Sequence, residues 1–310
     1  MNTANLIGRF RQAAWEAAAP LARTELGARL IQRARPALGW VYRPEMRERY
    51  YRQFVGPYDR GLIQIDTRSH GEWSIQVYGG TDLGSLNLMK RLVHPGSVIL
   101  DIGANIGQVT LALARIAGPV GCVHAFEPHP LMRDRLIRNI ALNNLTNVIV
   151  CPDAMGSEPG EATLYGSITS NEGLSALAYV EGLTETPFPC RVDTVDNYVR
   201  RQEIARLEFV KIDTEGADFA VLQGAEHTLR SFMPAVYIEV DAGHLARFDA
   251  SPTDIITILR DLGYELWRQE HHWEKRGLEL TAIADTRAIM VTPTENWLAV
   301  HPARVQMAKP

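Results

Sequence analysis

Cysteine is scarce in this chain: Cys122, Cys151 and Cys190 are the only three in 310 residues. An odd number with no metal-ligand spacing excludes a disulfide framework and a zinc knuckle, and it predicts a reducing compartment. Long apolar runs are missing as well. No window approaches the roughly 18–20 apolar residues that a membrane span needs. The opening MNTANLIGRFRQAAWEAAAP is interrupted by Arg9, Arg11 and Glu16, so it lacks the continuous apolar centre of a signal peptide. Together these absences predict a cytoplasmic protein. Lysine is absent from the first 60 residues, where 11 Arg face five Asp and Glu, while the other 250 residues hold 21 basic and 31 acidic side chains. A net charge of −4 therefore conceals a basic arm on an acidic body. That body has no basic stripe with interleaved aromatics, which argues against nucleic acid as a partner. Internal repeats and low-complexity tracts are also lacking.

What is present reads as three regions. Residues 1–60 form a basic arm in which Leu6, Phe10, Ala13, Ala17 and Leu21 recur at helical spacing, so a helix is expected over 4–19 and a second one ends near Pro36 and Gly39. Its arginine face would suit an anionic membrane surface, a docking partner, a homodimer or, most simply, the acidic body of the same chain. LIQID (62–66) and WSIQVY (73–78) alternate apolar and polar residues, which predicts a β-hairpin within 61–83. From residue 84 to about 300 the rhythm changes. VILDI, GCVHAFE, NVIVC, LEFVKID, AVYIEV and YELWR are near-continuous apolar strands, separated by helical stretches such as QVTLALARIA and ADFAVLQGAEHTLR. Such alternation predicts βαβ units and a doubly wound, mainly parallel α/β sheet of Rossmann-like type. The interval 155–206 interrupts it, holding ATLYG, the polar run GSITSNEGLS and VDTVDNYVRR. An insertion there is expected to form an acceptor wall or lid.

VILDIGANIG (98–107) carries the first functional signal. In an open parallel sheet, ligands bind at the carboxyl ends of strands near the switch in strand order. Gly103 and Gly107 would let backbone amides approach a ligand, and Asn105 tolerates an unusual backbone angle. The glycine spacing does not match the dinucleotide fingerprint G-x-G-x-x-G, and Asp101 at the strand end would repel a pyrophosphate, which counts against a nicotinamide-dependent dehydrogenase. Glu127 closes the second strand, 20 residues beyond Gly107, where an acid accepts hydrogen bonds from ribose hydroxyls. Asp153, with Ala154, closes the third, within reach of an adenine amino group. Three successive acidic strand ends fit a ligand with an adenosine and a cationic amino-acid tail, which is S-adenosylmethionine.

DIGANIG, AFEP, the asparagines of NIALNN (Asn139 and Asn143), KIDTEGAD, VLQGAEHTL and YIEV occur in an order that resembles the FkbM family of S-adenosylmethionine-dependent methyltransferases, over roughly residues 84–297. The resemblance implies a class I methyltransferase fold with a seven-stranded sheet whose last strand, placed at RAIMV, is antiparallel. It also implies methylation of a hydroxyl on a small molecule or glycan: a sugar, a polysaccharide or a secondary metabolite. Asp218 departs mildly from the glutamate usual in that motif, and the first 60 residues lie outside the resemblance. N-methylation of an amine and a non-catalytic scaffold that only binds the donor are the alternatives.

KIDTEGAD sets Lys211, Asp213 and Glu215 at the end of the fourth strand, beside the first in a doubly wound order. Methyl transfer is an in-line displacement at a sulfonium, so alignment of the acceptor can supply up to ~7–11 kcal/mol and a positioned base about 10²–10⁴-fold. Asp213 is the first candidate for that base and Glu239, in the fifth strand, the second. Lys211 reads either as part of the chemistry or as a salt-bridge partner, and Glu215 either as a site residue or as a helix cap. Asp213, Glu239 and Asp241 also raise the hypothesis of a Mg²⁺ that acidifies the acceptor hydroxyl. His244 could reach the acceptor pocket. His271 and His272 fall in an expected hairpin turn, and Asn171 and Ser175 in the insertion are candidate acceptor contacts.

Overall fold

The computed structural model describes residues 51–55, 62–66, 83–166, 175–176, 187–272, 277–283 and 294–307, together with Glu72 and Ile75. The two helices expected in the basic arm lie outside these residues, as does all of 73–78 except Ile75. Part of the arm is a strand: β1 (Tyr51–Val55) pairs antiparallel with β2 (Leu62–Asp66), from Tyr51↔Asp66 to Val55↔Leu62. The strand expected at 62–66 is therefore present, with 51–55 as its partner.

After α1 (Leu83–Leu92) the chain runs β3 (Val98–Ile102), α2 (Gln108–Ala117), β4 (Cys122–Phe126), α3 (Pro130–Leu142) and β5 (Val148–Cys151). β3, β4 and β5 lie parallel and in that order outward. The chain then returns through the insertion to β10 (Phe209–Ile212), which pairs parallel with the other side of β3. The strand order thus switches between β3 and β10, and their carboxyl ends carry Asp101 and Asp213. β3 and β10 read as apolar runs because helices cover both faces: Ile99, Leu100, Phe209 and Ile212 have no accessible surface.

Beyond β10 come α5 (Asp218–Gln223), α6 (Glu226–Phe232), β11 (Ala235–Val240), α7 (Ala242–Ala246), α8 (Pro252–Asp261), β12 (Glu265–His272), β13 (Gly277–Ala282), β14 (Glu295–Val300) and α9 (Pro302–Met307). β14 inserts antiparallel between β11 and β12, giving the order β13-β12-β14-β11-β10-β3-β4-β5. This is the expected class I architecture with one strand more than the seven expected. The chain turns back after β12 and β13 pairs along it from Trp267↔Ala282 to His272↔Gly277, so the sheet is extended at that edge. RAIMV lies outside the described residues, and the antiparallel position belongs to ENWLAV, anchored by the fully buried Trp297. His271 and His272 sit in β12 itself.

One helix was expected over 217–230, but two are present. Gly224 ends α5 where a Cβ would stand 2.0 Å from the carbonyl oxygen of Gly156, so the chain bends around the insertion. Asp196 then caps the second helix, accepting from the N–H groups of His227 at 3.0 Å and Thr228 at 2.8 Å. The insertion itself is a small sheet of β6 (Ala154–Met155), β7 (Gly160–Gly166), β8 (Ser175–Ala176) and β9 (Phe188–Asp193), ordered β6-β9-β7-β8 and followed by α4 (Val195–Arg201). Asn171 lies outside the described residues, and Ser175 opens β8.

The two motif asparagines have a structural role. Asn139 on α3 and Asn143, the residue that caps its C-terminal end one turn later, meet alternate residues of β2. Asn139 accepts from Gln64 N (2.7 Å) and donates to Ile106 O (2.8 Å), while Asn143 accepts from Leu62 N (2.7 Å) and donates to Leu62 O (2.6 Å). Arg135, one turn earlier, forms a buried ion pair with Glu72. A polar stripe on one helix thereby satisfies the edge of β2, as a neighbouring strand would. Asn139→Ala is expected to cost about 1–3 kcal/mol, because two buried backbone groups lose their partners. Urea unfolding of the purified variant measures it, and an unchanged midpoint would show that water replaces the amide.

Candidate active site

A cavity partly open to solvent lies at the switch between β3 and β10. Among the described residues its lining includes Glu127, Asp153, Asp213 and Glu215 but no lysine or arginine. Apolar walls come from Phe126, Met155 and Leu164. Leu164 belongs to β7, so the insertion contributes to the lining of the cavity. Phe126 is held from behind by Tyr198 of α4, whose ring meets it edge-on at 4.6 Å.

Glu127 faces this cavity from the end of β4. One carboxylate oxygen accepts from Asn105 N at 2.7 Å and the other from His129 N at 2.9 Å. The bond to Asn105 fixes the turn after β3 to the end of β4, and Asn105 adopts the left-handed conformation expected of it, with φ of +49°. Burial pushes the Glu127 carboxyl up to about 7, against the pull of those two N–H groups. Asp153 and Ala154 stand at the junction of β5 and β6, also on the cavity. Asp153 pairs with Arg191 of β9 at 3.2 Å, which ties the insertion to the end of the third parallel strand.

Asp101 is placed differently from Glu127 and Asp153. It is fully buried and does not line the cavity. Thr110 donates to one of its oxygens at 2.5 Å, and Lys211, its cross-strand neighbour on β10, stands 3.6 Å from the other. Lys211 is 4% exposed, donates to Gly103 O at 2.7 Å and pairs with Asp213 at 3.0 Å. Burial alone would lower the lysine pKa, but Asp213 and Asp101 outweigh it and raise it above its ordinary value. The ammonium is therefore charged, and it joins the ends of β3 and β10. Gly103 lines the cavity, yet the space its missing Cβ leaves is filled by protein: a Cβ there would lie 1.8 Å from the Asp213 carbonyl oxygen. Gly107 does not line the cavity, and a Cβ on it would lie 2.5 Å from Leu136 Cδ1 on α3.

Asp213 keeps its side chain 38% exposed on the cavity side of its pair with Lys211. The loop that follows is held by Asp218, which accepts from Thr214 N and Oγ1, both at 2.9 Å, and from Gly216 N at 3.0 Å. This function of Asp218 was not visible in the chain, although an acid at the start of a helix, facing the preceding loop, is its ordinary signature. Thr110 was likewise missed, since nothing local marks it as the partner of Asp101.

Glu239 does not line the cavity but stands beside it on β11. Burial, then the charges of Asp213, Glu215 and Asp218, push its carboxyl far above the usual range. Glu215 is pushed up to about 8 for similar reasons. His244 is kept below its ordinary value, chiefly by burial, and so is a neutral imidazole at pH 7. Asp241 is not gathered with Asp213 and Glu239. It caps α7 through Gly243 N (2.8 Å) and His244 N (2.9 Å), and Thr294 Oγ1 donates to it at 2.6 Å. The group brought together among the described residues is Glu215, Glu239 and His244.

No helix among the described residues is long and apolar enough to cross a membrane. Comparison with known proteins follows the same lines. "Methyltransferase 1" of Beauveria bassiana is 28% identical over 161 residues, covering 46% of this chain and 64% of that protein. The "Hexuronic acid methyltransferase AglP" of Haloferax volcanii is 27% identical over 189 residues, covering 61% of this chain and 72% of that one. The "31-O-demethyl-FK506 methyltransferase FkbM" of Streptomyces tacrolimicus is 26% identical over 198 residues, covering 56% and 74%. The family profile described as "Methyltransferase FkbM domain" matches residues 101–266, from the buried aspartate at the end of β3 to the start of β12. With that match spanning more than half of the chain, the protein belongs to the FkbM family of S-adenosylmethionine-dependent methyltransferases.

Proposed function

We propose that this protein transfers a methyl group to a hydroxyl of a sugar, a polysaccharide or a secondary metabolite. The observation that carries the reading is the cavity at the strand switch, lined among the described residues by four acidic side chains and no lysine or arginine. Such a lining suits a ribose diol and a positively charged tail, and it disfavours a pyrophosphate. The relatives named for a hexuronic acid and for 31-O-demethyl-FK506 agree with oxygen as the acceptor atom.

S-adenosylmethionine supplies the methyl group already activated on a sulfonium, so the protein has to align a nucleophile and take its proton. In this reading Glu127 accepts the ribose hydroxyls with the lone pairs that Asn105 N and His129 N leave free. Asp153 and Ala154 bound the adenine end. Asp101 acts through Lys211, which holds the ends of β3 and β10 at one spacing. Asp213 orients the acceptor hydroxyl and receives its proton, being the strand-end acid that is exposed to the cavity. Glu239 is set behind the lining at the acceptor end, its carboxyl held far above the usual range by burial and the neighbouring acids.

Two measurements test this. Calorimetric titration with S-adenosylhomocysteine should show micromolar binding, and NAD none. Methyl release should follow hydroxyl acceptors such as hexuronates and hexosides, whereas turnover confined to amines would overturn the choice of oxygen. The ionisation of Glu127 adds a pH signature. Above pH 7 its carboxylate accepts both hydroxyls, and below pH 7 it is protonated and loses acceptor capacity. The Kd for S-adenosylhomocysteine should therefore rise as pH falls from 8 to 6, with a limit of about tenfold per unit. Glu127→Gln should bind more weakly and lose that slope.

A further inference from the structure

We propose that Glu215, Glu239 and His244 form a binding site for a divalent transition-metal ion, placed where the acceptor meets the donor cavity. Three elements converge there: the loop after β10, the strand β11 and the short helix α7. One ligating atom from each side chain lies within 4.8 Å of the other two. Metal–ligand bonds of about 2.0–2.2 Å place neighbouring ligand atoms roughly 3–4.4 Å apart, so little adjustment is needed. Glu215 Oε2 and His244 Nδ1 are 3.3 Å apart, the spacing of adjacent ligands on one ion.

A second, independent feature points to a ligand. His244 Nδ1 is shut off from solvent and makes no hydrogen bond. A buried ring nitrogen that makes no hydrogen bond and stands among two carboxyl groups is the arrangement that a bound cation would satisfy. The geometry is also rigid. A Cβ on Gly216 would stand 2.5 Å from the His244 carbonyl oxygen, so the Glu215 loop and α7 touch through backbone. Asp218 holds that loop from the other side. Nitrogen with two carboxylate oxygens is a donor set for Mn²⁺, Fe²⁺, Co²⁺ or Zn²⁺ rather than for the all-oxygen preference of Mg²⁺ or Ca²⁺. Three protein ligands leave positions open, as catalytic sites do and structural sites do not.

Glu215 lines the donor cavity, so an ion here would face the acceptor. It would select acceptors that offer two adjacent oxygens, such as a vicinal diol or a 2-hydroxy acid, and it would offset the carboxylates that otherwise repel an anionic sugar. Coordination makes the acceptor O–H more acidic. Its proton passes to Asp213, the O–CH₃ bond forms and the C–S bond of the sulfonium breaks, so one proton and one methyl are exchanged with no change in oxidation state.

The inference deepens the methyltransferase reading and rests on it for its role, though metal binding can be measured by itself. The protein, stripped with EDTA and saturated with S-adenosylhomocysteine, is titrated with Mn²⁺ and the free-ion EPR signal recorded. One site per chain is expected, displaced by Zn²⁺ but not by an equal concentration of Mg²⁺. His244→Ala and Glu239→Gln should each weaken it at least tenfold, with S-adenosylhomocysteine affinity and the unfolding midpoint unchanged, while the exposed His227→Ala leaves it intact. Absence of Mn²⁺ and Zn²⁺ binding at millimolar concentration in protein that binds S-adenosylhomocysteine overturns the metal site and spares the methyltransferase reading. Binding that survives both site variants overturns it as well. Loss of S-adenosylhomocysteine binding in the unmodified protein overturns the cavity assignment instead.

Discussion

Lys211→Met is expected to lower stability by roughly 3–5 kcal/mol, the cost of leaving a buried carboxylate without its counter-ion. Asp101 has no accessible surface, and the oxygen facing Lys211 has no hydrogen-bond partner, so only Thr110 would remain to hold it. The lysine also donates to Gly103 O and pairs with Asp213, so its loss frees two of the loops that build the cavity. Because the folded lysine pKa is raised, its contribution is complete at neutral pH and is lost only as pH climbs past the ordinary lysine range. For a domain of this size each kcal/mol shifts the melting temperature by about 2–4 °C, so thermal melts should show a drop on the order of 10 °C. Asp101→Asn combined with Lys211→Met should recover most of the stability, since the uncompensated charge is gone, but not the donor affinity, which depends on the loops. A single-variant loss below ~1 kcal/mol would show that the pair is not what holds the two strand ends.

Gly103→Ala should be about as severe for a different reason. Gly103 has φ of +83°, and its Cβ would sit 1.8 Å from the Asp213 carbonyl oxygen. The left-handed angle costs an alanine ~1–2 kcal/mol, and forcing apart two packed backbones adds about 1–3 kcal/mol. The turn after β3 and the loop after β10 cannot both keep their places, so S-adenosylhomocysteine affinity should fall by on the order of 100-fold along with the urea midpoint. Gly118→Ala is the control. That residue also has positive φ, at +65°, but nothing lies within 4 Å of the added carbon. It should pay only the conformational penalty and bind the ligand normally. A loss of ligand affinity in Gly118→Ala equal to that in Gly103→Ala would falsify the close approach as the cause.

Much of the fold could be read from local pattern. VILDI, FVKI and AVYIEV are strands that bury both faces, and a two-sided burial writes itself into the chain as an uninterrupted apolar run. Helical spacing between them implied crossovers, and crossovers imply a parallel sheet with its ligand at the carboxyl edge. From that rule alone Glu127, Asp153 and Asp213 could be placed at one cavity, and they are. The asparagines of α3 were legible as a motif, but their purpose was not, because their partners on β2 are 75 and 81 residues away.

What the chain determined by itself was therefore the succession of elements, the class of sheet and the acidic character of the strand ends, since each depends on neighbours within a few residues. Tertiary structure alone decided which way those acids face. Asp101 turns into the protein because register sets it opposite Lys211, and Gly103 is required by a carbonyl that arrives from more than 100 residues away. The break at Gly224, the extra strand β13 and the meeting of Glu215, Glu239 and His244 belong to the same class. Periodicity records burial, which is local to an element. Register, close approach of backbones and convergence of loops are fixed by packing between elements, and no spacing along the chain encodes them.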